Sequence, residues 1–162
     1  MKKQLTIIKV GGKIVENPDT LNQLLRDFSA LGGRKVLVHG GGRTATETAA
    51  RLGIETHMVD GRRITDADML SVVTMVYGGL VNKNVVARLQ GCGVNALGLT
   101  GADMDVIRSH RRPLKNGVDY GFVGDVDKVD GSRLSMLVEA GITPVMAPVS
   151  YTHLTLPTIL LV

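Results

Sequence analysis

Val36-Leu37-Val38-His39-Gly40-Gly41-Gly42 is an apolar run that stops abruptly at a histidine and three glycines, and it reads as a buried strand feeding a loop. Ile7-Ile8-Lys9-Val10-Gly11-Gly12-Lys13 has the same grammar, with lysines on either side of the glycines. Glycines lack a Cβ, so their backbone N–H groups can approach a ligand closely and converge on it, which suits phosphate or carboxylate oxygens. Two such turns in one chain imply two anionic groups held close together.

Between the turns the chain supplies a helix. Asn17-Pro18-Asp19 gives an N-cap, a proline at the first helical position and an acidic first turn. Leu21, Leu24, Leu25 and Phe28 follow at helical spacing and mark one buried face, and Gly32-Gly33 ends the element. A strand, helix, strand unit of this kind implies a right-handed crossover and two parallel strands. Open sheets of that type bind ligands at the carboxyl ends of their strands, where both glycine turns lie. Thr44 to Leu52 reads as a further helix, closed by Gly53, whose N-terminal dipole favours an anion at Gly41-Gly42.

Outward from this unit, Glu55 to Arg63 is less regular and ends in Arg62-Arg63. Thr65 is expected to cap a helix running to about Tyr77, with Asp66 and Asp68 compensating its dipole; Gly78-Gly79 interrupts it, and Val81, Val85, Val86 and Leu89 resume the pattern to Gly91. Val94 to Leu99 reads as a third strand, and the stretch 104–129 as a hairpin. Ser132 is expected to cap a helix through Glu139, Gly141 to stop it, and Thr143 to Val149 to form a fourth core strand. The expected fold is α/β: a three-layer sandwich with a mainly parallel central sheet and helices on both faces. Residues 150–162 carry no charge and read as a non-native tail, which sets the domain at 1–149.

Composition narrows the function. With 44% hydrophobic but only 3% aromatic residues, the core is built from Val, Leu, Ile, Ala and Met, as in parallel α/β proteins. The net charge is +4, yet the basic residues are spread along the chain with few aromatics among them, which argues against nucleic-acid binding. The one basic cluster, Arg108, His110, Arg111, Arg112 and Lys115, reads as a solvated hairpin. A single cysteine, Cys92, excludes an internal disulfide and reads as a small buried hydrophobe. His39 has no carboxylate or thiol at ligand spacing, so it reads as a loop-packing residue and no protein metal site is expected. No run reaches the roughly 18 apolar residues of a membrane span, and Met1-Lys2-Lys3-Gln4 leads straight into a strand without a signal-peptide stretch. A cytoplasmic protein without a membrane partner is the expectation.

Six motifs in order then resemble the amino-terminal part of the acetylglutamate kinases, of the amino acid kinase family, over roughly residues 5–149. They are Ile8-Lys9-Val10-Gly11-Gly12, His39-Gly40-Gly41-Gly42, Asp60-Gly61-Arg62-Arg63-Ile64-Thr65, Asn82-Lys83-Asn84-Val85-Val86, Gly98-Leu99-Thr100-Gly101 and Gly121-Phe122-Val123-Gly124-Asp125-Val126. The resemblance implies a truncated amino acid kinase-like fold and ATP-dependent phosphorylation of the side-chain carboxylate of N-acetylglutamate, in arginine biosynthesis. It further implies ATP with Mg2+ as co-substrate and a homodimer assembled through this half.

The resemblance also assigns roles that the residue chemistry permits. Phosphoryl transfer is achieved mainly by positioning and charge neutralisation. Lys9 would be the catalytic cation on the moving phosphoryl group, joined by the N–H groups of Gly11 and Gly12. Gly41 and Gly42 would hold the reacting carboxylate of the acceptor, and Arg63 would clamp the other carboxylate, whose shape a guanidinium fork matches. The acceptor carboxylate is ionised at neutral pH, so no general base is required.

The family's ATP-binding half, with its Asn-x-Asn-Ala-Asp stretch and second lysine, finds no counterpart in this chain, so the fragment by itself is expected to be inactive or nearly so. The alternative is a non-catalytic kinase-like module that binds acylglutamate or contacts a subunit, as in acetylglutamate synthase. Retention of Lys9, Gly11 and Gly12 favours the kinase. Acetyl and larger acyl groups on the acceptor nitrogen both stay open.

Overall fold

In the computed structural model, which describes residues 4–149, strand β1 (Leu5–Val10) runs into the first glycine turn and a single helical turn, α1 (Gly12–Val15). Residues 150–162, expected to be a non-native tail, lie outside the described residues. Helix α2 (Pro18–Ala30) starts where the Asn17 side chain accepts the amides of Asp19 and Thr20, with Pro18 at a position that needs no amide partner. It returns the chain to β2 (Arg34–His39), which pairs in parallel with β1 from Leu5↔Arg34 to Val10↔His39. Both glycine turns therefore leave adjacent strands at the same end of the sheet.

Helix α3 (Gly42–Arg51) follows the second turn, and the irregular stretch after it folds into a hairpin of β3 (Met58–Val59) and β4 (Arg62–Arg63). Asp60 and Gly61, with φ of 50° and 71°, form its two-residue turn, a conformation that Asp-Gly adopts readily. Next, α4 (Ala67–Val73), a π-helical segment (Thr74–Val81) and α5 (Asn82–Gly91) make one continuous helix of 25 residues. Gly78-Gly79 does not interrupt it, contrary to expectation; the backbone widens into the π segment and continues. By length and a mean hydropathy of 1.2 this helix could cross a bilayer, which a search for uninterrupted apolar runs overlooks. Seven of its apolar residues, Met69, Val72, Val73, Val76, Val81, Val85 and Leu89, are buried in the core, while Met75 and Leu80 are exposed. Its cap is Asp66, whose carboxylate accepts the Met69 amide, and not Thr65, whose backbone pairs with Tyr120 and Phe122.

Strand β5 (Ala96–Leu99) precedes an antiparallel hairpin of β6 (Ile107–Arg111) and β7 (Gly124–Val129), then α6 (Gly131–Glu139) and β8 (Thr143–Met146). Here too the cap differs: Asp130, not Ser132, accepts the first amides of α6. The main sheet is parallel, in the order β1-β2-β8-β5. The strand latest in sequence is thus interior, and all of its residues are buried. Pro144 is tolerated there because the ladder with β2 takes only Val145 and Met146.

Helices cover both faces of this sheet, as expected of the three-layer α/β sandwich. On one, Leu21, Leu25 and Phe28 of α2 and Val85 and Leu89 of α5 close on Val10, Leu37, Ala96 and Val145. On the other, Leu137 and Val138 of α6 close on Val36, Leu99 and Met146. Each such buried Val, Leu, Phe or Met side chain contributes about 1.5–3 kcal/mol relative to exposure. A third cluster sets Ala45 and Ala49 of α3 against Met69, Val72 and Val76 of the long helix.

The basic cluster on the β6–β7 hairpin is matched locally by Arg108–Asp105, His110–Asp127, Arg111–Asp119 and Arg112–Asp125 pairs. Cys92 is exposed, not buried as expected: it follows Leu89, the last inward position of α5, at the helix C-cap.

Candidate functional site

The two glycine turns are in contact. The Gly40 amide donates to the carbonyl of Val10 at 3.0 Å, which draws the second turn onto the end of β1. A Cβ on Gly40 would stand 3.2 Å from the Gly12 nitrogen, and one on Gly12 would stand 3.5 Å from the Gly42 nitrogen and 3.6 Å from that of Gly41. Backbone meets backbone here, and the approach of Gly40 to the Gly12 nitrogen is tighter than a side chain ordinarily allows.

Glu16, which local sequence patterns did not single out, joins the turns. Its Oε1 accepts the amides of Arg43 (2.9 Å) and Thr44 (3.2 Å), and its Oε2 accepts Arg43 Nε at 2.9 Å. A carboxylate thus sits on the α3 N-terminus as its dipole favours, but it is the protein's own, and it serves the second and third helical residues. The amides of Gly41 and Gly42 have no acceptor among the described residues.

Arg63 reaches the same place from β4. Its Nη2 donates to the Gly42 carbonyl at 2.7 Å and to Thr46 Oγ1 at 2.6 Å, and its Nη1 to the Tyr77 hydroxyl at 3.3 Å. Its Nε is buried and has no partner. Buried donors are nearly always satisfied, so this orphan stands out on a guanidinium whose other nitrogens are both held.

Lys9, one residue before Val10 in β1, is exposed, and its ammonium is in no hydrogen bond or ion pair among the described residues. His39 is 2% exposed. Its Nδ1 lies 2.9 Å from the Gly40 carbonyl, and its Nε2 lies 3.0 Å from Asn82 Nδ2, which also donates to the carbonyl of Val145. A carbonyl on one ring nitrogen and an amide donor on the other assign the neutral tautomer with its proton on Nδ1. Burial pushes the imidazole below its ordinary pKa, consistent with a role in the loop.

A cavity of about 410 Å3 opens beside Arg63, lined also by Thr65, Tyr77, Arg112, Tyr120 and Val123. Arg112 is committed to Asp125, with its Nη2 at 2.6 Å and Nε at 3.0 Å from Oδ1. The guanidinium holds the Asp125 carboxyl below the usual carboxylate range. A larger groove of about 470 Å3 is lined by Ile8, Ile14, Leu24, Phe28 and Leu31 and shares no residue with the glycine turns or Arg63. Its lining adds Thr20, Gln23 and Asp27 but no lysine or arginine to meet an anion, so the smaller cavity beside Arg63 is the candidate site. The structure brings together Gly12, Gly41, Gly42 and Arg63, with Gly11 in the same turn as Gly12 and Lys9 at the strand end beside it. Sequence reasoning missed Glu16, Thr46 and Tyr77; the only signal was a polar or aromatic residue inside an otherwise structural pattern.

The chain matches the amino acid kinase family over residues 4–159. It is 70% identical to an acetylglutamate kinase of Bacteroides fragilis over 93% of this chain and 58% of the relative. It is 65% identical to that of Parabacteroides distasonis over 92% and 58%. The chain therefore spans about 58% of the length of these curated relatives. Among solved structures, N-acetylglutamate synthase from Neisseria gonorrhoeae, complexed with coenzyme A and N-acetyl-glutamate, matches with a TM-score of 0.73 and 26% identity over 91% of this chain and 34% of that one. An isopentenyl phosphate kinase, at 23% identity and a TM-score of 0.55 over 88% of this chain and 56% of that one, shares the fold.

Proposed function

Because the chain belongs to the amino acid kinase family, we propose that residues 1–149 form the acceptor side of an ATP-dependent carboxylate kinase whose substrate is N-acetylglutamate. The observation that carries this reading is Arg63: its guanidinium is anchored on the first turn of α3, beside two glycine amides without acceptors, and keeps a buried, unpartnered Nε–H. A dicarboxylate answers that arrangement. One carboxylate takes the free guanidinium donor, and the other takes the amides of Gly41 and Gly42. The acetylglutamate kinase relatives support the choice of acceptor.

In the mechanism this implies, the acceptor carboxylate is already the nucleophile. Gly41 and Gly42 hold it in line, and desolvation by the two packed turns replaces its water shell with fixed donors. Lys9 and the amides of Gly11 and Gly12 neutralise charge on the phosphoryl group as it moves. Nucleotide binding falls to the part of the relatives' length that this chain does not span. Mg2+ would accompany ATP, but among the described residues no group of three or more His, Cys, Asp or Glu gathers to hold a metal; the charge neutralisation ascribed to this chain is that of Lys9. A homodimer and a cytoplasmic location belong to the same reading.

Calorimetric titration of this chain with N-acetylglutamate tests it. One-to-one binding that weakens at least tenfold in Arg63→Lys supports the acceptor site, since a lysine cannot hold Gly42, Thr46 and Tyr77 and still present a donor at the Nε position. Absence of binding by the folded chain removes it. In a coupled ATP-consumption assay the chain is expected to turn over little. Robust turnover would overturn the assignment of the nucleotide side to the length of the relatives that this chain does not span.

A further inference from the structure

We infer that Tyr77 is a positioning residue of the acceptor site, setting the distance and angle between the Arg63 guanidinium and the Gly41-Gly42 turn. This rests on the acceptor-site reading and deepens it.

One aromatic ring touches both elements. The Tyr77 hydroxyl accepts Arg63 Nη1 at 3.3 Å. The same ring lies against Gly41, where a Cβ would meet Cδ1 at 3.2 Å and Cε1 at 3.3 Å; a Cβ on Gly42 would stand 3.8 Å from the hydroxyl. The glycine turn is therefore seated on a flat, rigid surface whose far end holds the guanidinium.

The π segment explains why this side chain points there. Along a regular α-helix the residue four after buried Val76 would also be buried. That residue is Leu80, and it is 54% exposed, whereas Val81, five after Val76, is 5% exposed. The inward face slips by one position across Thr74–Val81, and Tyr77 is presented to the turn while Val76 and Val81 stay in the core. Such widened turns cost hydrogen-bond geometry and recur at functional sites.

The chemical consequence concerns Arg63. An arginine side chain carries much rotamer entropy, and any of it lost on binding weakens affinity. Gly42, Thr46 and Tyr77 remove it in advance, on two nitrogens and from two directions, and leave Nε for the acceptor. Thr46 belongs to the same helix as Gly42, so Tyr77 is the anchor that ties the guanidinium to a second element.

Tyr77→Phe and Tyr77→Leu in this chain test the inference by three readouts: the melting temperature, the Kd for N-acetylglutamate, and the Arg63 Nε–H resonance of the ligand-free protein. Tyr77→Phe keeps the ring, so folding and the Gly41 and Gly42 amide shifts should be preserved. Its Kd should rise about threefold to tenfold, and the Arg63 Nε–H should exchange faster with water. Tyr77→Leu, which also removes the seat, should shift the Gly41 and Gly42 amides and weaken binding further. Unchanged Arg63 exchange and unchanged Kd in Tyr77→Phe would overturn the inference, and that variant keeps the test valid if Tyr77→Leu fails to fold. Should the wild-type chain not bind N-acetylglutamate, the acceptor reading fails on its own, and Arg63 exchange still decides for or against Tyr77.

Discussion

Glu16 and Arg43, 27 positions apart, are joined twice: Glu16 Oε1 accepts the Arg43 amide and Oε2 its Nε, both at 2.9 Å. The pair links the end of α1 to the start of α3, and so fixes one glycine turn against the other. Glu16→Ala should leave the Arg43 and Thr44 amides without their cap and destabilise the chain by about 1–2 kcal/mol. Glu16→Gln, which keeps an acceptor oxygen but no charge, should recover part of that. Urea denaturation of the two variants checks the order; equal stability of Glu16→Ala and wild type would show that the link contributes nothing.

Acid should weaken the fold through His39. The buried imidazole is held neutral, with a pKa below the ordinary value, while in the unfolded chain it takes a proton near pH 6.5. Below that pH the unfolded state binds a proton that the native state refuses, so this contribution is complete above about pH 6.5 and lost as pH falls further. Protonation would also put a hydrogen on Nε2, which faces the Asn82 amide donor. The slope attributable to one such group approaches about 1.4 kcal/mol per pH unit. Urea midpoints measured from pH 7.5 to 5 should fall more steeply in wild type than in His39→Gln, and parallel curves would exclude His39 as the sensor.

What was legible in the sequence was what local chemistry decides. Asn17-Pro18 and the Leu21 to Phe28 spacing determine α2 without help from the rest of the chain, and the glycine turns declare themselves by what they lack. The caps expected at Thr65 and Ser132 stand one and two positions away, at Asp66 and Asp130, because Ser, Thr and Asp compete for that role. Tertiary pairing settled the first: the Thr65 backbone is engaged by Tyr120 and Phe122, which leaves Asp66 free to cap. Gly78-Gly79 looks like a break, but the valines on both sides are buried in one core, and that burial keeps the helix whole. Glu16, Thr46 and Tyr77 act across 27, 17 and 14 positions, and no periodicity encodes such contacts.

Gly98 should not tolerate a methyl group. A Cβ there would lie 1.9 Å from Asn82 Oδ1 and 2.8 Å from Lys83 Nζ. Asn82 cannot yield freely, because its Nδ2 is held by His39 and the Val145 carbonyl in the buried interior. Overpacking together with broken buried hydrogen bonds predicts a loss of about 2–4 kcal/mol for Gly98→Ala. Gly91→Ala, at the end of α5 with open space around it, should be neutral or stabilising by up to about 1 kcal/mol. Thermal melts of the two variants should separate clearly; a Gly98→Ala protein as stable as wild type would mean that Asn82 does not hold its place.

Lys35 closes the far end of α2, and its removal should be felt as strongly as that of a core side chain. Its Nζ donates to the carbonyls of Phe28 (2.8 Å), Ser29 (2.9 Å) and Leu31 (2.7 Å), and stands 5.0 Å from the centre of the Phe28 ring. At 8% exposure the side chain is nearly out of water, and burial lowers the ammonium's pKa; the carbonyls at a helix C-terminus are what hold a cation there. Lys35→Met keeps the aliphatic stem and its packing but strands those acceptors, at a cost of about 2–3 kcal/mol. Lys35→Arg restores charge and donors with a bulkier head and should recover part of it. Hydrogen exchange localises the effect: the last amides of α2 should lose protection in Lys35→Met while those of α3 keep theirs, and uniform protection across both helices would show that the lysine is not the cap.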